Sequence, residues 1–221
     1  MGSHPSPDLI KLEMTPNTID EKFSYLMIRN FLIFGFGYAA YYFGRYNFSH
    51  THAKIASDLG WNTSDYGIIS SAALLVYGLS VFFNGPLTDR IGGKLSLLIG
   101  AIGSSIMNLL FGLTNVFIKN GWITNLSKTS TIINWLACIW ALNHLFQSFG
   151  ALSVVKVNSA WYRLEERGRL AGRFGIVIQL GRALVLAIPL LLVYLHLAWH
   201  WAFFVPSIAL MIMAGLIYKY L

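Results

Sequence analysis

The sequence predicts an all-α membrane protein with six transmembrane helices. Of its 221 residues, 56% are hydrophobic and only 11% are charged, whereas a soluble domain has about 25% charged residues. Six apolar segments reach the length of about 20 residues that a helix needs to cross a hydrocarbon core. Tryptophan residues lie near most of the predicted helix ends, as they do at membrane–water interfaces. Together these observations exclude a soluble globular domain.

A polar tail precedes the six predicted helices. Residues 1–25 carry four acidic residues and have no apolar core of the kind found in signal peptides. We therefore interpret 1–25 as a cytosolic tail and 26–221 as the membrane domain. The predicted helices span residues 27–48, 66–86, 95–115, 132–155, 172–194 and 201–220.

The distribution of Lys and Arg predicts that both termini are cytosolic. With the N-terminus inside, the inner side carries eleven of these residues and the outer loops carry three. Positive residues accumulate on the cytosolic side of membranes. The two remaining basic residues, Arg45 and Arg182, are left within the membrane. The excess of basic residues thus has a membrane explanation and gives no reason to expect a nucleic-acid partner.

Arg45 is the most informative residue of the first predicted helix. An arginine in the middle of a membrane helix costs about 2.5–3.5 kcal/mol on insertion scales, and an anionic ligand is a simple compensation for that cost. At 100° per residue, polar side chains share one stripe about 80° wide with Arg45. The stripe consists of Tyr38, Tyr42, Arg45, Ser49 and His52. The helix therefore has one polar face, which predicts a water-filled cavity and a helix that continues beyond residue 48.

The second predicted helix has a similar polar face. That face consists of Tyr66, Ser70, Tyr77, Ser80 and Asn84. Tyr77 is a candidate to line the same cavity as Arg45. Small polar residues also form helix–helix contacts in bilayers, and this alternative stays open for Ser70 and Ser80.

A glycine-rich basic motif follows the second predicted helix. It runs from Gly85 to Lys94 and includes Asp89, Arg90 and Gly92. The motif predicts a tight cytosolic turn in which Asp89 either caps the third helix or pairs with a nearby base. Its spacing strongly resembles the signature between helices two and three of the major facilitator superfamily. The resemblance implies one six-helix half of that fold, with the motif helping to close the cytosolic side.

The first helix more narrowly resembles the organophosphate:phosphate antiporters, such as the glycerol-3-phosphate and hexose-phosphate transporters. The residues that carry this resemblance are the FGYAAYY run at 36–42, Arg45, Asn47-Phe48, Asp65-Tyr66-Gly67, Tyr77-Gly78, the run 147–150, Trp161-Tyr162 and Glu166-Arg167-Gly168. By this resemblance Arg45 binds the substrate phosphate, and Tyr38, Tyr42 and Tyr77 line the pathway. A guanidinium suits that role because its planar fork binds phosphate oxygens bidentately.

Two positions depart from that family's pattern. Val81 stands where a lysine is usual in helix two, and Ile178 stands where the glycerol-3-phosphate branch has a histidine in helix five. Helix five instead offers Gln179 and Arg182. Arg182 lies too far from the inner end of the helix for easy snorkelling, so we assign it to anion binding, with a salt bridge as the alternative. These departures favour a divergent anionic substrate.

The resemblance predicts a secondary active transporter, or one half of one, that exchanges an organic phosphate for inorganic phosphate. Members of the superfamily have two six-helix halves with the substrate between them, so the expected partners are a second half or chain, a small anion and the lipid bilayer. The expected location is the inner membrane of a bacterial cell. Two alternatives are a sugar-phosphate sensor that works with a signalling protein and a non-functional truncated transporter.

Enzymatic activity is not expected. The predicted helices contain no paired carboxylates, nucleophile constellation or metal-ligand cluster. The single cysteine, Cys138, excludes an internal disulfide. No cofactor and no metal ion are predicted.

Overall fold

A computed structural model describes residues 16–121, 129–161 and 164–221. These residues form six helices and no strand. The helices are α1 (Pro16–Leu59), α2 (Thr63–Ile91), α3 (Gly93–Lys119), α4 (Thr129–Trp161), α5 (Leu164–Tyr194) and α6 (Trp201–Tyr220). Most of the predicted N-terminal tail lies outside the described residues, and its last ten residues are the beginning of α1.

Helix α1 is much longer than the predicted span, with 44 residues. It extends past His52, as the polar stripe indicated. Gly60 then ends the helix in a left-handed conformation (φ +68°) that glycine adopts without a steric penalty. The next helix begins with a capping box, in which Asn62 accepts from the Asp65 amide and Asp65 accepts from the Asn62 amide.

The predicted cytosolic turn over residues 85–94 was wrong in its extent. Gly85 and Pro86 lie inside α2, which continues to Ile91, and only Gly92 separates α2 from α3. Membrane helices tolerate a proline because neighbouring groups satisfy the freed carbonyl. Gly92 alone reverses the chain, at φ +88°. No side chain caps α3, and Asp89 instead pairs with Lys156 of α4 at 2.9 Å.

Helices α2 to α6 are each long and apolar enough to cross a membrane by length and composition. Helix α1 has the length but not the composition, because tyrosines, asparagines and Arg45 interrupt its apolar residues. These interruptions follow from the position of α1, which contacts α3, α4, α5 and α6. Helix α2 packs mainly against α4, and α3 packs against both α4 and α6.

Tyr41 fastens α1 to α3 and α4. Its hydroxyl donates to the Leu97 carbonyl at 2.6 Å, and its side chain is fully buried. The Tyr41 side chain fits against Gly100 and Gly150, since a Cβ atom would overlap its hydroxyl at Gly100 and its ring at Gly150. Small residues of this kind let helices approach closely in membranes, where packing replaces the hydrophobic effect as the force between helices.

Three fully buried asparagines join four helices beside Arg45. Asn108 of α3 and Asn143 of α4 both donate to the Gly44 carbonyl of α1, at 3.1 and 3.2 Å. Asn47 donates to Asn108 at 2.8 Å and to the Ala202 carbonyl of α6 at 3.0 Å. The network fixes α1 immediately before Arg45, because Gly44 is the preceding residue.

We expect Gly150→Ala to lower thermal stability in detergent. The added methyl carbon would lie 2.6 Å from the Tyr41 ring, and overpacking of this kind costs about 1–3 kcal/mol. Gly215→Ala is the matched control, because a Cβ atom at this glycine of α6 meets nothing within 4 Å. Equal melting temperatures for the two variants would contradict the proposed packing of Tyr41.

Candidate functional site

Arg45 lies at the level of the helix midpoints. Its guanidinium carbon stands 4.8 Å from the centre of the Tyr77 ring, and Tyr77 is the central residue of α2. Gln147 lies near the middle of α4, and Arg182 lies near the middle of α5. The longer α1 thus places Arg45 deep in the bundle, where the opposing side chains come from the centres of three other helices.

Three groups hold the Arg45 guanidinium. Its Nε donates to the Gln147 side-chain oxygen at 3.2 Å, and one terminal nitrogen donates to the Gln147 carbonyl at 3.2 Å. The other terminal nitrogen donates to the Tyr77 hydroxyl at a long 3.5 Å. A guanidinium has five N–H donors, so these bonds leave two for a ligand.

Arg45 lines a cavity of about 280 Å³, here called the central cavity. The Tyr77 side chain and the buried His144 form part of its wall. His144 is held by its own helix, with Nδ1 at 3.0 Å from the Trp140 carbonyl. The lining residues are Arg45, Tyr46, Phe48, Ser49, Tyr66, Ser70, Leu74, Tyr77, Trp140 and His144.

A tyrosine pair connects Arg45 to Arg182. Both guanidinium carbons lie near the Tyr42 ring, at 5.2 Å for Arg45 and 5.8 Å for Arg182. Tyr42 stacks on Tyr46, and the Tyr46 hydroxyl accepts from Arg182 at 3.4 Å. Such contacts stabilise a cation by about 0.5–2 kcal/mol each. The two guanidinium groups therefore lie on one continuous aromatic surface, which Tyr42 and Tyr46 form.

Among the described residues, no acidic side chain neutralises either arginine. The ion pair found among the described residues is Lys156 with Asp89, and no carboxylate there lies within 4.0 Å of Arg45 or Arg182. Arg182 is exposed and donates to Gln179 at 3.3 Å. The salt bridge that sequence left open for Arg182 is therefore not seen in the described part of the chain. Two positive charges at mid-helix depth make this region a suitable place for an anion.

The structure brings most of the predicted site residues together. Arg45 and Tyr77 line the central cavity, and Tyr42, Gln179 and Arg182 lie beside it. Tyr38 lies one helical turn before Tyr42 on α1, where it is buried against the rings of Phe174 and Tyr42. On α2, Ser70 lines the cavity, whereas Ser80 is buried. Asn84 is a helix–helix contact that donates to the Ser148 hydroxyl of α4 at 2.7 Å.

Sequence reasoning missed three important residues. Gln147 was noted only as part of a resemblance, and its bonds to Arg45 depend on how α1 and α4 face each other. His144 lies on neither of the two predicted polar faces, and it is both buried and part of the cavity wall. Tyr46 lies outside the polar stripe, although its spacing of four residues from Tyr42 would have indicated the stacked pair.

The motif residues lie at the opposite end of α2 from the capping box. Asp89 accepts from Lys156 there, and Lys94 stands 6.0 Å from the Tyr218 ring of α6. Gly85, Thr88, Asp89 and Lys156 border a separate cavity of about 480 Å³. The alternative in which Asp89 pairs with a base is thus confirmed, and its partner comes from α4.

Comparison with known proteins gives the same family that the motif indicated. Residues 34–221 match the model of the Major Facilitator Superfamily. A probable hexose phosphate transport protein of Chlamydia muridarum is 26% identical over 207 residues, which cover 94% of this chain and 42% of that protein. The membrane sensor protein UhpC of Escherichia coli is 29% identical over 181 residues, covering 82% and 37%. The glycerol-3-phosphate transporter of Bacillus subtilis is 25% identical over 213 residues, covering 96% and 45%.

The chain thus spans less than half the length of these curated relatives, as a single six-helix half would. The matches to hexose phosphate and glycerol-3-phosphate transporters agree with the organophosphate resemblance of α1. Together with the apolar helices, they make this a multi-pass membrane protein. The motif, the all-helical architecture and the family match over most of the sequence show that the chain belongs to the Major Facilitator Superfamily.

Proposed function

We propose that this chain is the anion-binding half of a secondary transporter for a phosphate ester, which works by alternating access in exchange for inorganic phosphate. The observation that carries the proposal is the Arg45 guanidinium, which lies at mid-helix depth in a cavity without a neutralising carboxylate among the described residues. Relatives that are named hexose phosphate and glycerol-3-phosphate transporters support the substrate class.

Each site residue has a role in this proposal. The two remaining Arg45 donors bind phosphate oxygens, and the Tyr77 hydroxyl donates to a third oxygen. Tyr42 and Tyr38 shape the aromatic surface, while Arg182 and Gln179 form a second anion-attracting group on α5. In this proposal the protein binds its substrate and moves it by alternating access, without making or breaking a covalent bond. No enzymatic activity and no cofactor are therefore proposed.

A second six-helix half is the proposed partner. Substrate in this superfamily is expected between two halves near the midplane, and Arg182 is exposed on this half at that depth. We place the protein in a bacterial cell membrane with both termini in the cytosol, because eleven of the sixteen Lys and Arg residues then face inward.

The Asp89–Lys156 pair is the proposed latch on the cytosolic side. It joins the end of α2 to α4 at 2.9 Å, beside Gly85 and three residues before Gly92. Since the pair is largely exposed, it contributes little to stability. Its proposed role, with Arg90 and Lys94, is to bias the cytosolic end towards its closed arrangement.

A sensor is the second candidate function. UhpC of Escherichia coli, a membrane sensor protein, resembles this chain about as well as the transporters do. A sensor would use the same Arg45 cavity for ligand recognition and pass the signal to a membrane kinase. Ligand binding without transport, together with co-purification of such a kinase, would favour it. Absence of any stable membrane-inserted product would favour a non-functional remnant.

We expect Arg45→Lys to insert normally but to bind inorganic phosphate about ten- to a hundredfold more weakly, because a point charge replaces the bidentate fork. The measurement is equilibrium binding of phosphate to the purified chain. Arg173→Lys is the matched control, since Arg173 is an exposed arginine on the same bundle. Unchanged phosphate affinity in Arg45→Lys would contradict the proposed site.

The latch predicts a charge-reversal rescue. In a Cys138→Ser background, we expect Lys156→Asp to accelerate maleimide labelling of a cysteine introduced as Gly85→Cys, since two acidic residues would then repel each other. Adding Asp89→Lys should restore slow labelling, because the pair is rebuilt with opposite polarity. If the double reversal labels as fast as Lys156→Asp alone, the pair does not control this end of the protein.

A further inference from the structure

A second cavity adjoins the central cavity towards the C-terminal end of α1. It lies between α1 and the start of α2, has a volume of about 340 Å³, and is here called the α1–α2 vestibule. Phe48 and Tyr66 line both cavities, so the two spaces share a wall. The vestibule is lined by Phe48, His52, Ala53, Ala56, Trp61, Asn62, Thr63 and Tyr66.

The lining of the vestibule does not suit an anion. Among the residues that the structure describes, this lining includes no Lys, Arg, Asp or Glu, in contrast to the central cavity with Arg45. It offers instead the aromatic faces of Trp61 and Tyr66 and the polar groups of His52, Asn62 and Thr63. An apolar wall with a few placed polar groups is typical of sites for uncharged organic ligands. This combination fits a neutral, hydroxylated group.

Two of the polar groups are already oriented. Asn62 uses its side-chain oxygen to cap α2, accepting from the Asp65 amide at 3.1 Å, and this leaves its NH₂ group as a donor. His52 Nδ1 lies 2.7 Å from the Ser49 carbonyl. Because a carbonyl can only accept, Nδ1 carries the proton and Nε2 is left as an acceptor in the neutral ring. The vestibule therefore presents both a donor and an acceptor, as a hydroxyl group requires.

The ring of His52 is held against Tyr66, with 4.5 Å between the ring centres. Tyr66 in turn packs on Phe48 at 5.2 Å. These ring contacts connect the side chains of the vestibule to the wall of the central cavity. His52 and Asn62 are therefore already held in position before a ligand binds. Preorganisation of this kind lowers the entropic cost of binding.

The spacing along α1 relates the vestibule to Arg45. Seven residues separate Arg45 from His52, which corresponds to about 10 Å along the helix axis. A phosphate held by Arg45 would place the first atoms of its ester group near Phe48, one helical turn further on. A longer organic group that extends in this direction reaches Phe48 and Tyr66, which line both cavities, and beyond them the vestibule, whereas inorganic phosphate does not reach that far.

We propose that the α1–α2 vestibule binds the hydroxylated organic group of the phosphate ester whose phosphate is held by Arg45. The inference rests on the proposed function and adds a specificity subsite to it. Tyr66 and Trp61 contact the carbon skeleton, while His52 Nε2, the Asn62 amide and the Thr63 hydroxyl bond to its hydroxyl groups. Longer, hydroxyl-rich esters such as hexose phosphates are then preferred to glycerol 3-phosphate, and both are preferred to phosphate alone.

The test is His52→Phe, which keeps an aromatic ring beside Tyr66 but removes the acceptor. Binding of hexose 6-phosphate, glycerol 3-phosphate and inorganic phosphate is measured on the purified full chain. We expect the Kd for hexose 6-phosphate to rise about five- to tenfold, the effect of one lost hydrogen bond, with a smaller rise for glycerol 3-phosphate and none for inorganic phosphate. Thr63→Val should show the same order of effects.

His50→Phe is the matched control, because His50 is an exposed histidine on the same helix that borders a different cavity. It should change none of the three affinities. Equal weakening of all three ligands by His52→Phe, or no effect on hexose 6-phosphate, would overturn the subsite without contradicting the proposed phosphate site at Arg45. If wild-type chain shows no phosphate binding that depends on Arg45, the proposed function fails, and the subsite fails with it.

Discussion

The guanidinium of Arg45 is held by Gln147 of α4 and Tyr77 of α2 and still has donors to spare. A cation at this depth costs about 2.5–3.5 kcal/mol to insert, so the bundle must offer it polar partners. The length of α1 and the convergence of α2 and α4 provide them. Because the described residues supply no carboxylate to Arg45, the compensation is incomplete, and in the proposed function the anionic substrate completes it.

The need to hold the Arg45 cation in a fixed position also explains the buried polar network beside the site. Gly44 precedes Arg45, and its carbonyl accepts from Asn108 and Asn143. Removing either amide would leave polar groups unpaired in an apolar interior, which costs about 1–3 kcal/mol per group. The network fixes the backbone at Arg45 from α3 and α4, so the guanidinium is positioned by elements on both sides. Tyr41 adds a further contact one helical turn away.

The sequence was sufficient to predict the helix order and the polar stripe, because helical periodicity places Tyr42, Arg45 and His52 on one face. It could not give the partners of Arg45, since Gln147 meets it only through the packing of α1 on α4. Local composition was misleading around Pro86: glycine and proline usually indicate a turn, but packing in the bundle keeps α2 helical as far as Ile91. The vestibule also depends on packing, because it requires α1 to extend beyond the membrane span that composition alone predicts.

The most direct test of anion binding at Arg45 is the thermal stability of the chain in detergent as inorganic phosphate is added. A ligand that binds only the folded state stabilises it by about 2.7 kcal/mol at a hundred times its Kd. We expect the melting temperature of the wild-type chain to rise with phosphate, and we expect this rise to be lost in Arg45→Gln. An equal rise in both proteins, or no rise in the wild-type chain, would contradict the claim that Arg45 is an anion site.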